Sequence, residues 1–316
     1  MNAQPLNRWA LSRALTEIAN ASPTELAQRA LPEPSRHVAR RIGVTGAPGS
    51  GKSTLAGRLA LERLYGGRLG ILAIDPSSPH SGGAILGDRV RMDDLLGSEQ
   101  LYIRSLGSRK TNDGLADNLP EMLELMDQFG FDEVIVETVG VGQAEYAVRN
   151  QVNTLVLVLL PDSGDMVQAM KAGIMELADI YVVNKADLPG AHRAAADLRR
   201  IAAVTKRTLN EWVPPILLTS SNKTESVQAL SRAIDQHQEW LNSTHRVQSQ
   251  RLQRARYRLK RMAELRLAEA VAHSEDAFFD TPLAEQLARI FDVVRMSTTS
   301  VVETRPITGE PDRQQD

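Results

Sequence analysis

Residues 46–54 read Gly-Ala-Pro-Gly-Ser-Gly-Lys-Ser-Thr, directly after a strand-like run at 41–45 and directly before a helical pattern that begins near Lys52. In the order strand, glycine-rich turn and helix, backbone N–H groups turn inward and surround phosphate groups. We therefore predict a phosphate-binding loop rather than a turn without a ligand. The predicted contacts come from Gly46, Ala47, Pro48, Gly49, Ser50, Gly51, Lys52, Ser53 and Thr54, with Lys52 reaching the β- and γ-phosphates and Ser53 binding Mg²⁺.

A second motif, Asn184-Lys185-Ala186-Asp187, follows the strand-like run 180–183 and resembles the guanine-reading box of GTPases. The Asp187 carboxylate can accept hydrogen bonds from N1–H and from the exocyclic amine of guanine, whereas adenine offers no such pair of donors. A site with unpaired acceptors rejects the wrong base strongly. We therefore predict a guanine nucleotide, with the Lys185 stem over the plane of the base, in preference to a polar turn.

Composition excludes several classes of protein. The formal net charge of the 316 residues is −2, so no strong field favours nucleic acid or an anionic membrane as a partner. The chain has no cysteine, which excludes disulfides, iron–sulfur clusters and thiolate metal sites. The six histidines show no ligand spacing and are predicted to lie on the surface. Without a signal core or an apolar run of bilayer length, we expect a soluble, cytoplasmic protein.

Strand-like apolar runs alternate with helical patterns through the middle of the chain. Most of these runs are continuous, as expected for parallel strands that are covered on both faces. We predict an α/β fold with a doubly wound, mostly parallel sheet, which binds ligands at the carboxyl ends of its strands. The predicted strands are 41–45, 69–75, 101–104, 132–137, 154–160, 180–183 and 215–218, and the helices between them are 52–64, 113–129, 166–177, 190–204 and 224–241.

Helical extensions flank this predicted domain. The expected organisation is an N-terminal helical extension at 1–40, a nucleotide-binding domain at 41–245, a C-terminal helical arm at 246–296 and a disordered tail at 297–316. The arm contains a basic run, but no aromatic residues interleave in a way that would indicate RNA binding. Its apolar residues recur at helical spacing, which favours a packed stripe beside a solvated basic face.

Two longer strings lie elsewhere in the chain: Glu-Thr-Val-Gly-Val-Gly-Gln at 137–143 starts at the end of a predicted strand, and Gly-Ile-Met-Glu-Leu-Ala-Asp at 173–179 precedes the strand-like run 180–183. With the phosphate loop and the base box, they resemble the methylmalonyl-CoA mutase-associated GTPases, which are G-protein chaperones of adenosylcobalamin-dependent acyl-CoA mutases. The resemblance implies a P-loop GTPase of the SIMIBI class that binds GTP, GDP and Mg²⁺. It also implies slow hydrolysis that a mutase partner stimulates, a role in gating cofactor loading and in protecting or reactivating that mutase, and a homodimer formed by the C-terminal arm.

Carboxylates at the strand ends are the candidate metal ligands and catalytic groups. Asp75 and Glu137 end neighbouring strands beside the phosphate loop, where they suit the Mg²⁺ shell and could polarise the attacking water. By resemblance, Asp88 belongs to a first switch near Mg²⁺, Gly140 offers its N–H to the γ-phosphate, and Lys171 supplies charge from a third switch. The expected metal set is thus Ser53, Asp75, Asp88 and Glu137, and the expected catalytic set is Lys52, Asp75, Glu137 and Lys171.

Two positions depart from the pattern of that family. Segment 108–114 reads Ser-Arg-Lys-Thr-Asn-Asp-Gly where a glycine-rich segment is common, which puts the choice of mutase in doubt. Ser220 and Ser221 stand where a Ser-Ala pair is common, and we expect their backbone to contact the guanine. The alternative function is a P-loop small-molecule kinase or an ATPase or kinase associated with amino-acid transport. The Asn-Lys-x-Asp box argues against this alternative.

Overall fold

The computed structural model describes residues 6–29, 37–76, 98–108, 118–138, 147–161, 173–204, 211–220 and 222–299. The chain divides into two compact units. The first comprises Met1–Ala19 and Ser35–Ala255, and the second comprises Asn20–Pro34 and Arg256–Asp316. Each unit is described below by itself.

A seven-stranded sheet forms the centre of the first unit, in the order β3-β2-β4-β1-β5-β6-β7. Every pair of neighbouring strands is parallel, so the predicted doubly wound parallel sheet is confirmed. The strands are β1 (Arg40–Gly46), β2 (Leu69–Pro76), β3 (Leu101–Ser108), β4 (Glu133–Thr138), β5 (Thr154–Leu159), β6 (Ile180–Val183) and β7 (Ile216–Leu218). Each of them overlaps one of the seven predicted runs.

Helices cover both faces of this sheet because successive residues of a strand point to opposite sides. In β5, Val156 and Val158 belong to one buried apolar cluster and Leu157 and Leu159 to another. Helices α3 (Lys52–Arg63) and α6 (Thr224–Ser243) supply residues to the first cluster, and α5 (Ala191–Val204) supplies residues to the second. Helix α4 (Leu119–Gln128) lies between β3 and β4 in sequence. The continuous apolar character of the strands therefore reflects burial on both sides.

The N-terminal helix α1 (Arg8–Asn20) contacts strand β3 at the edge of the sheet. The Arg8 guanidinium donates to the carbonyl of Leu101 at 2.7 Å, and Arg104 donates to the carbonyl of Ser12 at 2.9 Å. Helix α1 also buries Leu11, Leu15 and Ile18, which explains the helical apolar spacing of this segment.

The second unit is helical. It contains α2 (Pro23–Gln28), the later part of α7 (Arg246–Ala272) and α8 (Leu283–Thr299). Ser22 begins α2 with a capping box, in which its side chain and that of Glu25 each accept the other residue's backbone N–H. The buried Arg266 forms an ion pair with Glu269 within α7, and both side chains hydrogen-bond to the Thr24 hydroxyl, which links α2 to α7.

Helix α8 reaches Thr299, and the remaining residues of the predicted tail, 300–316, lie outside the described residues. In the part of the chain that the structure describes, no helix is long and apolar enough to cross a membrane.

Candidate nucleotide-binding site

The phosphate loop connects the carboxyl end of β1 to the first turn of α3, as the sequence predicted. Two of its glycines are required by close contacts. A Cβ on Gly46 would lie 2.0 Å from the carbonyl oxygen of Val158, and one on Gly51, whose φ is 83°, would lie 2.5 Å from Nδ2 of Asn184. The loop therefore packs against β5 and against the base box without room for side chains at these positions.

Lys52 lies inside the loop. Its ammonium group is buried and donates a hydrogen bond of 2.8 Å to the carbonyl oxygen of Ala47. A buried ammonium is costly unless nearby groups of opposite charge or hydrogen-bond acceptors compensate it. Because the loop opens at the N-terminus of α3, where the helix dipole also favours negative charge, the arrangement suits a phosphate ligand.

Ser53 and Glu137 bring two oxygen donors together beside the loop. The Ser53 hydroxyl donates to Oε1 of Glu137 at 2.6 Å, and only 1% of the Glu137 surface is exposed. A hydroxyl and a carboxylate are ligands that Mg²⁺ prefers, so this donor set fits the metal. In the register of β2 and β4, Ile74 pairs with Thr138. The backbone of Asp75 therefore lies at the carboxyl end of the sheet, as Glu137 does.

The base box begins where β6 ends. The Asn184 amide donates to the carbonyl of Ser50 at 2.7 Å, and the Lys185 ammonium donates to the carbonyl of Gly49 at 2.9 Å. Lys185 has a φ of 53°, in the left-handed region. Asp187 is exposed, as a carboxylate must be if it is to meet a base. The box and the phosphate loop, 134 residues apart in sequence, thus form one connected site.

Two hydroxyl groups after β7 hold the base box in place. The Thr219 hydroxyl donates to Oδ1 of Asn184 at 2.9 Å, and the Ser220 hydroxyl donates to Oδ1 of Asp187 at 2.7 Å. The hydrogen bond from Ser220 is the largest of the effects that lower the pKa of Asp187. A backbone hydrogen bond and the charges of Lys223 and Lys185 lower this pKa further. Asp187 is therefore an ionised acceptor at neutral pH.

The role of Thr219 was missed in the sequence. Its only signal is that it precedes Ser220 at the end of a predicted strand, and many threonines do so without such a role. For Ser220 we expected a backbone contact to guanine, which stays a prediction; its side chain donates to Asp187. Its N–H donates to the Ser226 hydroxyl at 3.2 Å.

Several predicted site residues cannot be placed. Asp88, Gly140, Lys171 and Ser221 lie outside the described residues, as does most of the altered segment 108–114. For Asp75 only the backbone, within β2, is described. Their roles stay predictions.

A second polar cluster, which is buried, lies at the opposite end of the strands from the phosphate loop, at the amino ends of β5 and β6. Asp179 accepts hydrogen bonds from Arg149 at 2.5 Å and from the Leu155 N–H at 2.8 Å. Burial raises the pKa of Asp179 to about 6, although Arg149 acts in the opposite direction. His237 lies 2.8 Å from the hydroxyl of Thr154, and burial, assisted by the charge of Arg149, lowers its pKa to about 3.

The prediction that all six histidines lie on the surface is wrong for His237, which is fully buried. Its ring packs against those of Trp212 and Trp240, with centroid distances of 4.9 and 5.6 Å. The position lies on the inward face of α6, where a neutral imidazole with a hydrogen-bond partner is tolerated.

Comparison with known proteins is consistent with this site. Residues 11–276 match a family model described as methylmalonyl Co-A mutase-associated GTPase MeaB. A putative GTPase of Pyrococcus horikoshii is 38% identical over 242 residues, which are 76% of each chain. A probable GTPase of Mycobacterium tuberculosis is 39% identical over 247 residues, 74% of this chain and 72% of the relative. The mitochondrial methylmalonic aciduria type A homolog of mouse is 38% identical over 193 residues, 59% of this chain and 46% of the relative.

Among solved structures, the crystal structure of an LAO/AO transport system kinase superposes with a TM-score of 0.67. It is 24% identical and covers 92% of this chain and 94% of its own. At that identity the match supports the fold alone. The predicted α/β fold with a doubly wound, mostly parallel sheet is confirmed.

Proposed function

Because the chain belongs to the family of methylmalonyl-CoA mutase-associated GTPases, as its motifs predicted, we propose that it is the G-protein chaperone of an adenosylcobalamin-dependent acyl-CoA mutase. In this proposal it hydrolyses GTP to GDP and phosphate, slowly when alone and faster with the mutase. Its nucleotide state controls when cofactor enters the mutase and when a damaged mutase is protected or reactivated.

One observation carries the nucleotide part of the proposal. The two polar side chains at the start of the base box, Asn184 and Lys185, both donate to carbonyls of the phosphate loop, at 2.7 and 2.9 Å. A ligand that fills the loop with its phosphates therefore has its base beside Asp187. Guanine is the base that matches the acceptors of an ionised carboxylate.

Mg²⁺ is the expected metal. The neighbouring oxygens of Ser53 and Glu137 fit it, and Asp75 and Asp88 complete the proposed ligand set, directly or through water. When bound, Mg²⁺ neutralises the charge that develops on the phosphates. We assign three roles to the chain's own residues: Lys52 holds the β- and γ-phosphates, Asp75 or Glu137 orients the attacking water, and Lys171 adds positive charge when the partner binds.

Control of a partner requires that GTP and GDP favour different conformations, since a ligand shifts an equilibrium only by its differential affinity. The proposed γ-phosphate contact of Gly140 supplies such a difference because it is lost on hydrolysis. The mutase then binds one nucleotide state more tightly and, by linkage, changes the nucleotide affinity by the same factor.

The proposed homodimer is formed by the C-terminal arm. Helix α8 exposes several large apolar side chains to solvent, and a patch of this kind is typical of a protein–protein interface. Their exposed fractions are 70% for Leu283, 48% for Leu287, 56% for Phe291 and 73% for Met296.

The test is GTP hydrolysis by the pure protein, measured alone and with each adenosylcobalamin-dependent mutase encoded in the same organism. ATP, offered with and without candidate small-molecule acceptors, is the nucleotide control. Stimulation of GTP hydrolysis by one mutase, with no activity towards ATP, is the expected result.

Lys52→Ala is the inactive control, and Lys260→Ala removes an exposed lysine of α7 as the matched change. GTP hydrolysis that responds to none of the mutases would refute the chaperone assignment while leaving the GTPase intact. Consumption of ATP in the presence of an acceptor would favour a kinase.

A further inference from the structure

Ser226 ties together the loop that connects β7 to α6. Its hydroxyl oxygen accepts the Ser220 N–H at 3.2 Å. Its proton goes to the carbonyl of Lys223 at 2.6 Å, with the carbonyl of Ser220 as a second acceptor at 3.2 Å. One side chain in the first turn of the helix therefore contacts both polar groups of the Ser220 backbone.

The N-cap residue of α6 does not supply this contact. Lys223 stands at the N-cap position in an extended conformation and makes no capping hydrogen bond through its side chain. The backbone closes the turn with two bonds, from the Lys223 N–H to Ser220 and from the Ser226 N–H to Lys223, each of 3.0 Å. These bonds set the path of the loop, whereas the Ser226 hydroxyl sets the orientation of Ser220 within it.

The orientation of Ser220 matters because its own hydroxyl donates to Oδ1 of Asp187 at 2.7 Å. Asp187 is exposed, and an exposed carboxylate rotates freely unless a neighbour holds it. A carboxylate that must accept two hydrogen bonds from one base edge loses affinity when it rotates, since both bonds need the same plane. Ser226 thus acts on Asp187 through a chain of two hydrogen bonds.

We propose that Ser226 is a positioning residue for guanine selection, which orients Asp187 through the backbone and hydroxyl of Ser220. This inference rests on the guanine-nucleotide site of the proposed function. In this role Ser226 acts through Ser220 and not by contact with the nucleotide. The ligand feature that it controls is the exocyclic amine of the base, which distinguishes guanine from hypoxanthine.

The test compares GDP with IDP, which lacks that amine, in competition with a fluorescent GDP analogue on the full-length protein. Ser226→Ala should lower GDP affinity about fivefold, the loss of one net hydrogen bond, and IDP affinity by a smaller factor. Ser226→Thr keeps the hydroxyl and should restore the GDP-to-IDP ratio. Ser243→Ala, at the other end of α6, removes a hydroxyl that bonds only locally and should leave the ratio unchanged.

A double-mutant cycle separates positioning from general destabilisation. Ser220→Ala alone should lower the ratio of GDP affinity to IDP affinity. Adding Ser226→Ala to that variant should lower the ratio little further, because both changes break the same chain of hydrogen bonds. Equal losses of GDP and IDP affinity, or fully additive effects, would overturn the inference, as would a Ser226→Ala protein with the wild-type ratio. Failure of the wild-type protein to bind GDP would instead refute the proposed function.

Discussion

The side-chain amide of Asn184 donates a hydrogen bond of 2.7 Å to the backbone carbonyl of Ser50, and this bond joins the base box to the phosphate loop. The amide oxygen of Asn184 accepts from Thr219 in turn. The nitrogen and the oxygen of the Asn184 amide thus each have a hydrogen-bond partner, and these two partners fix the orientation of the amide. The base box and the phosphate loop are therefore directly connected, although β6 lies two strands from β1 in the sheet.

Replacing Asn184 by Ala should weaken GTP and GDP binding by about tenfold or more, because the change leaves the buried partner groups without their hydrogen bonds. The dissociation rate of a fluorescent GDP analogue measures the effect directly. Asn242→Ala, at an exposed position of α6, is the matched control. An unchanged dissociation rate in Asn184→Ala would mean that the bond to Ser50 does not contribute to binding.

Asp187→Asn should change the preferred base. The amide can donate to the oxygen that xanthine carries in place of the guanine amine, while guanine loses a charged acceptor. GTP affinity should fall by about a hundredfold, and xanthosine triphosphate should bind better than GTP. Competition titrations with both nucleotides test this outcome. Asp197→Asn makes the same change on α5, away from the site, and should leave the preference for GTP intact.

Lys52→Ala should reduce GTP hydrolysis by about a hundredfold or more, since it removes the ammonium that lies inside the phosphate loop. Phosphate release under saturating GTP is the readout. Retention of full activity would contradict the assignment of this loop as the phosphate site. The unfolding temperature of the variant should be recorded in parallel, because loss of the bond to Ala47 also alters the loop.

His237 should make the protein sensitive to mild acid. Its folded-state pKa of about 3 lies below its usual 6.5, so its contribution to stability is present above pH 6.5 and is lost as the pH falls towards 3. Asp179, whose pKa is raised to about 6, opposes this trend because the folded protein takes up its proton more readily below pH 6.

The measurement is the unfolding temperature of the wild type and of His237→Gln between pH 7.5 and pH 5. The stability advantage of the wild type over the variant should shrink as the pH falls. His192→Gln, at an exposed position of α5, should show no such trend. A difference between wild type and His237→Gln that is constant across this range would contradict the buried, neutral state of the imidazole.

A doubly charged α8 should disrupt the proposed homodimer. The variant combines Leu287→Glu with Phe291→Glu. Leu287 is 48% exposed and Phe291 is 56% exposed, so two carboxylates at these positions should affect folding of the monomer little. Light scattering after size-exclusion chromatography should detect a dimer in the wild type and a monomer in the variant. Leu61→Glu, on α3, is the matched control and should remain dimeric. Persistence of the dimer in the doubly charged variant would place its interface elsewhere.

Local patterns made much of the fold predictable. Continuous apolar runs such as 154–160 correspond to strands that are buried on both faces, and the glycine-rich loop between β1 and α3 needs only neighbouring residues to be recognised. Residues such as His237 and Ser226 carry no comparable signal. Their partners come from segments that are distant in sequence or from the geometry of a turn, so residue type and spacing do not reveal them.

The sequence by itself determined the class of sheet and the glycine-rich loop between β1 and α3, and it predicted which carboxylate reads the base, because each depends on residue types within a short stretch of chain. Only the tertiary structure decided that Asn184 and Lys185 bond to the phosphate loop and that Ser220 reaches Asp187 through its hydroxyl. It also decided that a histidine lies in the core. These relationships depend on the register of parallel strands and on the path of connecting loops, which bring together residues that no local pattern relates.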